Sequence, residues 1–321
     1  MSNQINMWAK CSEPVHLRKT DSYSEKERFH YSFKLIESTR NALVKKVCEA
    51  ACETLPTQFA SKGGSPEFEA WLIKYLPSAK FVFTTDIPNC FNGILFGSVL
   101  NGLPLPGPVL ERVLKDTRLR AKPLINGKVG ILSEELLLSI KQSVEASSSG
   151  RGIPIGAAGS AIAAEIVIKG ILQAIAAETH GVRCAAHADN LIFLADDKKA
   201  IPSLIKVLHN QVSMHFGTDV TDELARRNTI TPADDEFLFC GIHYCSKEGQ
   251  LIKRLEEKRL YDFAVKIDVG IDEAVSVDDF DKLALRVKGW LRSRQFSLKA
   301  IGVGADLMQE IGMRKAQLSS S

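Results

Sequence analysis

Two acidic residues in this chain stand where carboxylates could do chemistry. Asp86 closes the run Phe81-Val-Phe-Thr-Thr-Asp86, rich in aromatic and β-branched residues, and a proline follows two positions later. That pattern predicts a strand giving way to a turn at the carboxylate. Roughly a hundred residues on, His187-Ala-Asp-Asn190 interrupts two apolar runs between Val182 and Ala195, which predicts a hairpin with Asp189 at its tip. Either aspartate alone would serve as an ordinary turn residue. Laid side by side they would put like charges in one cleft, which needs a cation or a shared proton to compensate them. Mg²⁺, a hard ion held by one or two carboxylates together with substrate phosphates, is the natural compensator. Such a layout suits two-metal transfer of a nucleotidyl group.

The elements that must position these groups are legible in outline. From Ile36 to Leu55 the apolar positions Ala42, Leu43, Val47, Ala50, Ala51 and Leu55 recur at three- and four-residue spacing, with Ser38 or Thr39 as N-cap and Pro56 as stop. Phe68–Leu76 reads as a short helix ended by Pro77, and Asn101–Pro108 as a Pro/Gly loop. Helices are expected over 109–119, 132–144, 157–178 and 201–215, with a flexible joint at Ser147–Gly150. Residues 1–30 lack apolar periodicity and read as an arm; past Tyr244 the chain turns helical and charged. Alternation of helix, strand, hairpin and helix points to an α+β fold, not a doubly wound sheet.

Four segments, in this order, resemble the motifs of reverse transcriptases. Asp86 followed five residues later by Phe91 is similar to motif A, and His187-Ala-Asp-Asn190 to motif C, usually Tyr-x-Asp-Asp. Between them Arg151-Gly-Ile-Pro-Ile-Gly-Ala-Ala-Gly-Ser160 resembles motif B, and Phe237–Tyr244 resembles the primer-grip hairpin. More faintly, Ser61-Lys-Gly-Gly64 resembles the basic fingers loop of bacterial members, and Leu283–Arg292 the small helical thumb of group II intron-like enzymes. The likeness runs over about residues 28–296 and is firmest over 80–245.

That resemblance, to bacterial reverse transcriptases of the group II intron, diversity-generating retroelement and phage-defence assortment, implies a right-hand polymerase. The expected organisation is an N-terminal arm over 1–30, fingers over 31–80, a palm over 81–245 with a fingers insertion about 101–150, and a helical thumb and tail over 246–321. It implies an RNA-directed DNA polymerase with Asp86, Asp189 and Asn190 as catalytic residues, and Mg²⁺ or Mn²⁺ held by Asp86, Asp189 and the Ile87 carbonyl. Phe91 would lie under the sugar and exclude a 2′-hydroxyl; Ile155 and Gly156 would meet the incoming nucleotide; Arg28 and Arg40 would hold its triphosphate, as a bidentate guanidinium can. Gly152 and Gly156 suit close backbone approach. The implied partners are an RNA template, a DNA or RNA primer, deoxynucleoside triphosphates and a structured non-coding RNA or partner protein, in a retroelement or defence setting.

Bulk properties narrow the alternatives. With 45% hydrophobic and 25% charged residues among 321, the chain has the composition of a globular protein with room for one large or two small cores. Its 41 basic and 38 acidic residues leave only +3, so net charge announces no nucleic-acid binder. Two local stretches do better: 112–128 holds six basic residues and one acidic, 282–299 six and none, and either could follow the phosphates of an A-form duplex. Seven cysteines, odd in number and without a Cys-x-x-Cys pair, read as reduced thiols. The N-terminus lacks the marks of a signal peptide, and the apolar stretch 157–177 carries Glu165 and Lys169, so a cytoplasmic protein without a membrane span is expected.

The departures from the family pattern define the rivals. Asn190 stands for the second motif C aspartate and His187 for the tyrosine; no lysine follows the 201–215 helix, where Arg226-Arg-Asn228 stands instead; and the fingers proline is missing near Phe33. An amide oxygen ligates Mg²⁺ weakly. One rival is therefore a catalytically inactive palm that binds RNA or assists assembly; another is an RNA-dependent RNA polymerase, favoured by Asp189-Asn190 and opposed by Phe91. Ile155 replaces the usual motif B glutamine, a trait of the retroelement enzymes that copy adenine unfaithfully. The variant Ile155→Gln is accordingly expected to reduce misincorporation opposite template adenine in a sequenced extension product; an unchanged error spectrum would refute that role.

Overall fold

The computed structural model describes residues 15–20, 28–62, 64–115, 121–123, 151–247, 250–292, 294 and 296–320. The helix expected at 132–144, the joint at 147–150, Gly63 of the basic loop, most of the 112–128 stretch and most of the 1–30 arm lie outside them, as does the Arg28 side chain. The chain divides into two compact units, one reaching to Ala233 and one running from Asp234 onward.

The first unit mixes helices with two sheets, so the α+β class holds. Its central sheet has the order β5-β6-β3-β7, built from β3 (Phe81–Asp86), the hairpin β5 (Val182–His187) and β6 (Asn190–Ala195), and β7 (Thr229–Pro232). All neighbours in it are antiparallel. β3 and β6 are buried along nearly their whole length because helices cover the sheet, and their β-branched and aromatic residues suit that setting. Phe83 lies opposite Phe193, and the two rings meet at 5.5 Å, each fully buried. Burying each ring contributes about 2–3 kcal/mol, an upper figure for the transfer from water.

Three helices build the core with that sheet: α1 (Leu35–Ala51), α4 (Ala158–Glu178) and α5 (Ala200–Phe216), while α2 (Gly64–Tyr75) and α3 (Phe96–Gly102) precede α4 in the chain. α4 is long and apolar enough to cross a membrane, yet more than half of its apolar window is buried within the fold, as a core helix would be. Its small residues admit neighbours closely: a Cβ on Gly159 would stand 2.9 Å from Val44 Cγ1 of α1. A short helix α6 (Thr218–Ala225) follows α5 after Gly217, whose φ of +96° suits glycine.

Several boundaries differ from the sequence reading. α1 starts at Leu35, because the Lys34 carbonyl accepts the Ser38 N–H; Thr39 is inside the helix, its hydroxyl donating back to the Leu35 carbonyl at 2.7 Å instead of capping. α1 also stops at Ala51, with Cys52 extended, ahead of Pro56. α2 begins four residues earlier than expected, with Pro66 inside its first turn, where a missing N–H is harmless. Beyond the Pro/Gly loop, Gly107–Leu110 forms one helical turn and Glu111–Lys115 a π-helical one. Within the segment read as an arm, β1 (Val15–Thr20) and β2 (Arg28–Phe33) pair antiparallel, and β1 also pairs in parallel with β4 (Ala121–Pro123).

The second unit carries the meander β8 (Phe237–Phe239), β9 (Ile242–Lys247) and β10 (Gln250–Leu255), then α7 (Glu257–Glu273), α8 (Val277–Arg292) and α9 (Leu298–Ser320). The expected hairpin is present, but a third strand precedes the helices. Phe263, Ile267 and Ile271 recur every four residues on α7 and meet Phe280, Leu283 and Val287 of α8 in a small core, where Phe263 stacks on Trp290 at 4.1 Å. On α8 and beyond, Lys282 is paired with Asp278 at 2.6 Å and Lys299 with Glu257 at 2.7 Å, which neutralises two of the six bases of the 282–299 stretch.

One buried polar bond ties a loop to α4. Gln58, wholly buried, donates from Nε2 to the Glu165 backbone carbonyl at 2.7 Å and to its carboxyl Oε2 at 2.8 Å. Burial pushes the Glu165 carboxyl up to about 7, against the opposing pull of the Gln58 bond. Because the folded chain then holds a proton that the unfolded chain has released, stability falls as pH rises from about 4.5 towards 7 and levels off above. Two outcomes follow. Glu165→Gln should be more stable than wild type by about 1–3 kcal/mol at pH 8 and no more stable near pH 4.5, by urea melts. Gly159→Val, which forces a side chain into Val44, should lower stability by about 1–3 kcal/mol in the same melts.

Candidate active site

Sheet register brings the two sequence-distant aspartates together. β3 and β6 pair so that Asp86 lies opposite Asn190, and one step on, the Ile87 N–H donates to the Asp189 carbonyl at 2.9 Å. The hairpin closes between His187 and Asn190 through the two-residue turn Ala188-Asp189, with Asp189 at its tip as expected. Ala188 takes φ of +53°, the left-handed conformation that two-residue hairpins require and that alanine adopts at a cost of about 1–2 kcal/mol. Asp86, Asp189 and Asn190 are each half-buried, so the cluster is open to solvent at a sheet end whose strands are otherwise buried.

Charge at this cluster is partly compensated from within. The Asn190 amide donates to Asp189 Oδ1 at 3.3 Å and to the His187 carbonyl at 3.4 Å. An aspartate at position 190 would instead set a further carboxylate opposite Asp86. On the other side of Asp86, Arg227 donates to Oδ2 through one guanidinium nitrogen and to Glu223 Oε1 through the other. Burial works to lower the Arg227 pKa, but the bonds to Glu223 and Asp86 outweigh it and hold the group above its ordinary value. Sequence reading marked Arg226-Arg-Asn228 only as a missing lysine. Arg227 stands in the turn between α6 and β7, two residues before the Thr229 that pairs with Thr84, and no local sequence pattern marks it as a partner of Asp86.

Phe91 and the 151–156 segment come together. Phe91 follows the bend at Pro88-Asn89, where Asn89 has φ of +48°, and packs half-buried on the core. Its carbonyl accepts the Ile153 N–H at 2.7 Å, and the Ile94 carbonyl accepts the Gly152 N–H at 2.7 Å. Gly152 and Gly156 have φ of +82° and +94°, so both use the freedom that glycine has. Ile155 is half-buried and Gly156 exposed; the Ile155 carbonyl accepts the N–H of Tyr31 on β2. One guanidinium nitrogen of Arg151 donates to both carboxylate oxygens of Asp219 at the start of α6, each at 2.8 Å, and this contact holds the Asp219 carboxyl below its usual range.

Of the two arginines expected at a triphosphate, only Arg40 has a described side chain. Arg40 is buried within α1 and bonds Glu37, itself wholly buried, at 3.2 Å; Arg112 reaches the same carboxylate at 3.8 Å. Arg28 belongs to β2, opposite Thr20. Ile87 is fully buried directly after Asp86.

The donors available to a cation are hard oxygens: the Asp86 and Asp189 carboxylates and the amide oxygen of Asn190. They fit Mg²⁺ or Mn²⁺, which accept one or two protein carboxylates and fill their remaining positions from water or phosphate. They do not fit a closed protein cage, since among the described residues no three His, Cys, Asp or Glu side chains gather around a common point. Cysteines add nothing to the set: the six described are free thiols, and burial, with the charges of Asp189 and Glu165 behind it, drives the Cys90 thiol far up. A cavity of about 500 Å³, lined by Leu95, Ser98, Met214 and His215 among others, is not lined by Asp86, Asp189 or Asn190.

No protein-family model and no curated protein matches this chain. Among solved structures it is similar to a telomerase from Candida tropicalis truncated from its C-terminal domain, with 9% identity over 79% of this chain and 59% of that one and a TM-score of 0.47. It is also similar to a telomerase from Candida albicans in complex with a TWJ fragment of telomeric RNA, with 11% identity over 98% of this chain and 62% of that one and a TM-score of 0.46. The chain spans about three fifths of the length of these two telomerase chains.

Proposed function

We propose that this chain is a reverse-transcriptase-like nucleotidyltransferase, an RNA-directed DNA polymerase that binds Mg²⁺ or Mn²⁺ at Asp86 and Asp189 and adds deoxynucleotides to a primer end. The observation that carries the reading is the pairing of Asp86 with Asn190 and of the Ile87 N–H with the Asp189 carbonyl. Two residues about a hundred positions apart thereby share one solvent-open sheet end, in the order and spacing that the resemblance to reverse transcriptases implies.

In this reading the primer hydroxyl oxygen bonds to the α-phosphorus of the incoming nucleotide while the bond to pyrophosphate breaks. Little covalent help is needed, and positioning with charge neutralisation does most of the work. Bound ions would supply that neutralisation on the attacking and leaving oxygens. Asp86 and Asp189 would hold the ions, and Asn190 would orient Asp189 through its amide. Phe91, tied through its carbonyl to Ile153, would sit beside the nucleotide sugar and select against a 2′-hydroxyl. The exposed backbone at Gly156 would meet the base pair, with Ile155 in place of a polar contact. An RNA template and a primer are the partners this activity requires, and the biological setting is a retroelement, an intron or a defence system.

The second reading, an inactive palm that binds RNA or assists assembly, draws on Arg227 paired to Asp86 and on Asn190 in place of a carboxylate. The two separate in primer extension on an RNA template with the purified chain, comparing deoxy- with ribonucleotides and Mg²⁺ with Mn²⁺. The polymerase reading expects DNA product, lost at least about 10³-fold in both Asp86→Ala and Asp189→Ala. Absence of product under every condition while RNA still binds would support the inactive palm, and a ribonucleotide preference would overturn the role of Phe91.

A further inference from the structure

We infer that Arg227 is a built-in counter-ion that competes with the divalent cation for Asp86, so that metal loading and release of Arg227 are coupled; this rests on the metal-binding reading of Asp86 given above. Three observations carry it. Arg227 contacts Asp86 through one nitrogen of its guanidinium, from the turn that leads out of α6 two residues before β7 begins. The other nitrogen already has a partner, Glu223, one turn back at the end of α6. Both members of the Asp86 pair keep a share of solvent exposure, with side chains 28% and 37% exposed, so water and ions can reach the contact.

The consequence is physical. Asp86 beside Asp189 needs positive charge, and a guanidinium supplies it without any ion. When a cation takes that carboxylate, Arg227 loses one partner but is not stranded, because Glu223 retains it. The uncompensated-charge penalty that normally makes breaking such a pair costly is thereby avoided. The Arg227 backbone N–H also bonds the Leu224 carbonyl at 2.9 Å, and α6 is anchored at its other end by the Arg151–Asp219 pair, so α6 and its Glu223 stay in place whichever partner Arg227 keeps.

The test is Mn²⁺ binding by the full chain, read from the loss of the free-ion EPR signal, in wild type, Arg227→Gln, Asp86→Asn and the double variant, each checked for folding by circular dichroism. Competition predicts that Arg227→Gln tightens the Asp86-dependent site about three- to fivefold, the range expected for a half-exposed ion pair. It also predicts that raising salt from about 20 mM to about 300 mM weakens Mn²⁺ binding less in wild type than in Arg227→Gln, because screening loosens the competing pair as well. A purely structural Arg227 would not alter that salt slope. Equal affinity and slope in the two proteins, with binding still abolished by Asp86→Asn, would overturn the counter-ion role and leave the metal site standing. Binding that is unaffected by Asp86→Asn, or absent from wild type and Arg227→Gln alike, would overturn the metal-site reading and the counter-ion role with it.

Discussion

Like charges brought to one sheet end favour a compensating cation, and the pairing of β3 with β6 sets the backbone of Asp86 beside that of Asp189. The pairing of β3 with β6 fixes Asp86 against Asn190, and the bond from the Ile87 N–H to the Asp189 carbonyl fixes the second carboxylate one step away. The strands cannot slide to separate them, because a one-residue slip would turn Phe83 and Phe193 out of the core. Apolar burial therefore holds a polar arrangement that would not form by itself.

Compensation comes from neighbours that the sheet also positions. Asn190 offers an amide where a third carboxylate would add charge, and Arg227, arriving on the connection from α6 to β7, covers Asp86 from the opposite side. Seen this way, the asparagine that departs from the reverse-transcriptase pattern belongs to a site with its own charge balance, one cation on the chain and one fewer carboxylate.

The supporting elements divide their work. α4 packs small residues against α1 and against the sheet, and its buried Glu165 with Gln58 fastens the loop whose Thr57 and Phe59 backbone bonds Ala186, one residue before the hairpin begins to turn. The 151–156 segment is pinned at Phe91 and Ile94 by its backbone and at Asp219 by the Arg151 side chain. Glycines at 152 and 156 let the segment bend between these anchors.

Local pattern alone determined a good deal: strand β3 ending at Asp86, the hairpin with Asp189 at its tip, helices α4 and α5 to within a residue or two, and the α+β class. These follow from β-branched runs, apolar periodicity and turn residues, all of which act over short distances along the chain. Tertiary structure alone decided the rest. α1 begins at Leu35 with no side-chain cap at Lys34, ahead of the Ser38 or Thr39 expected, and Glu37, Arg40 and Asn41 in its first turns are buried by the fold. β10 appeared in a stretch whose charges suggested helix, since pairing with β9 outweighs weak local preference. Arg40, read as a phosphate contact, turned inward to Glu37, a partner three residues away whose burial no composition reveals. Arg227 was invisible as a partner of Asp86 because 141 residues separate them and only the folded chain brings the turn before β7 to the end of β3.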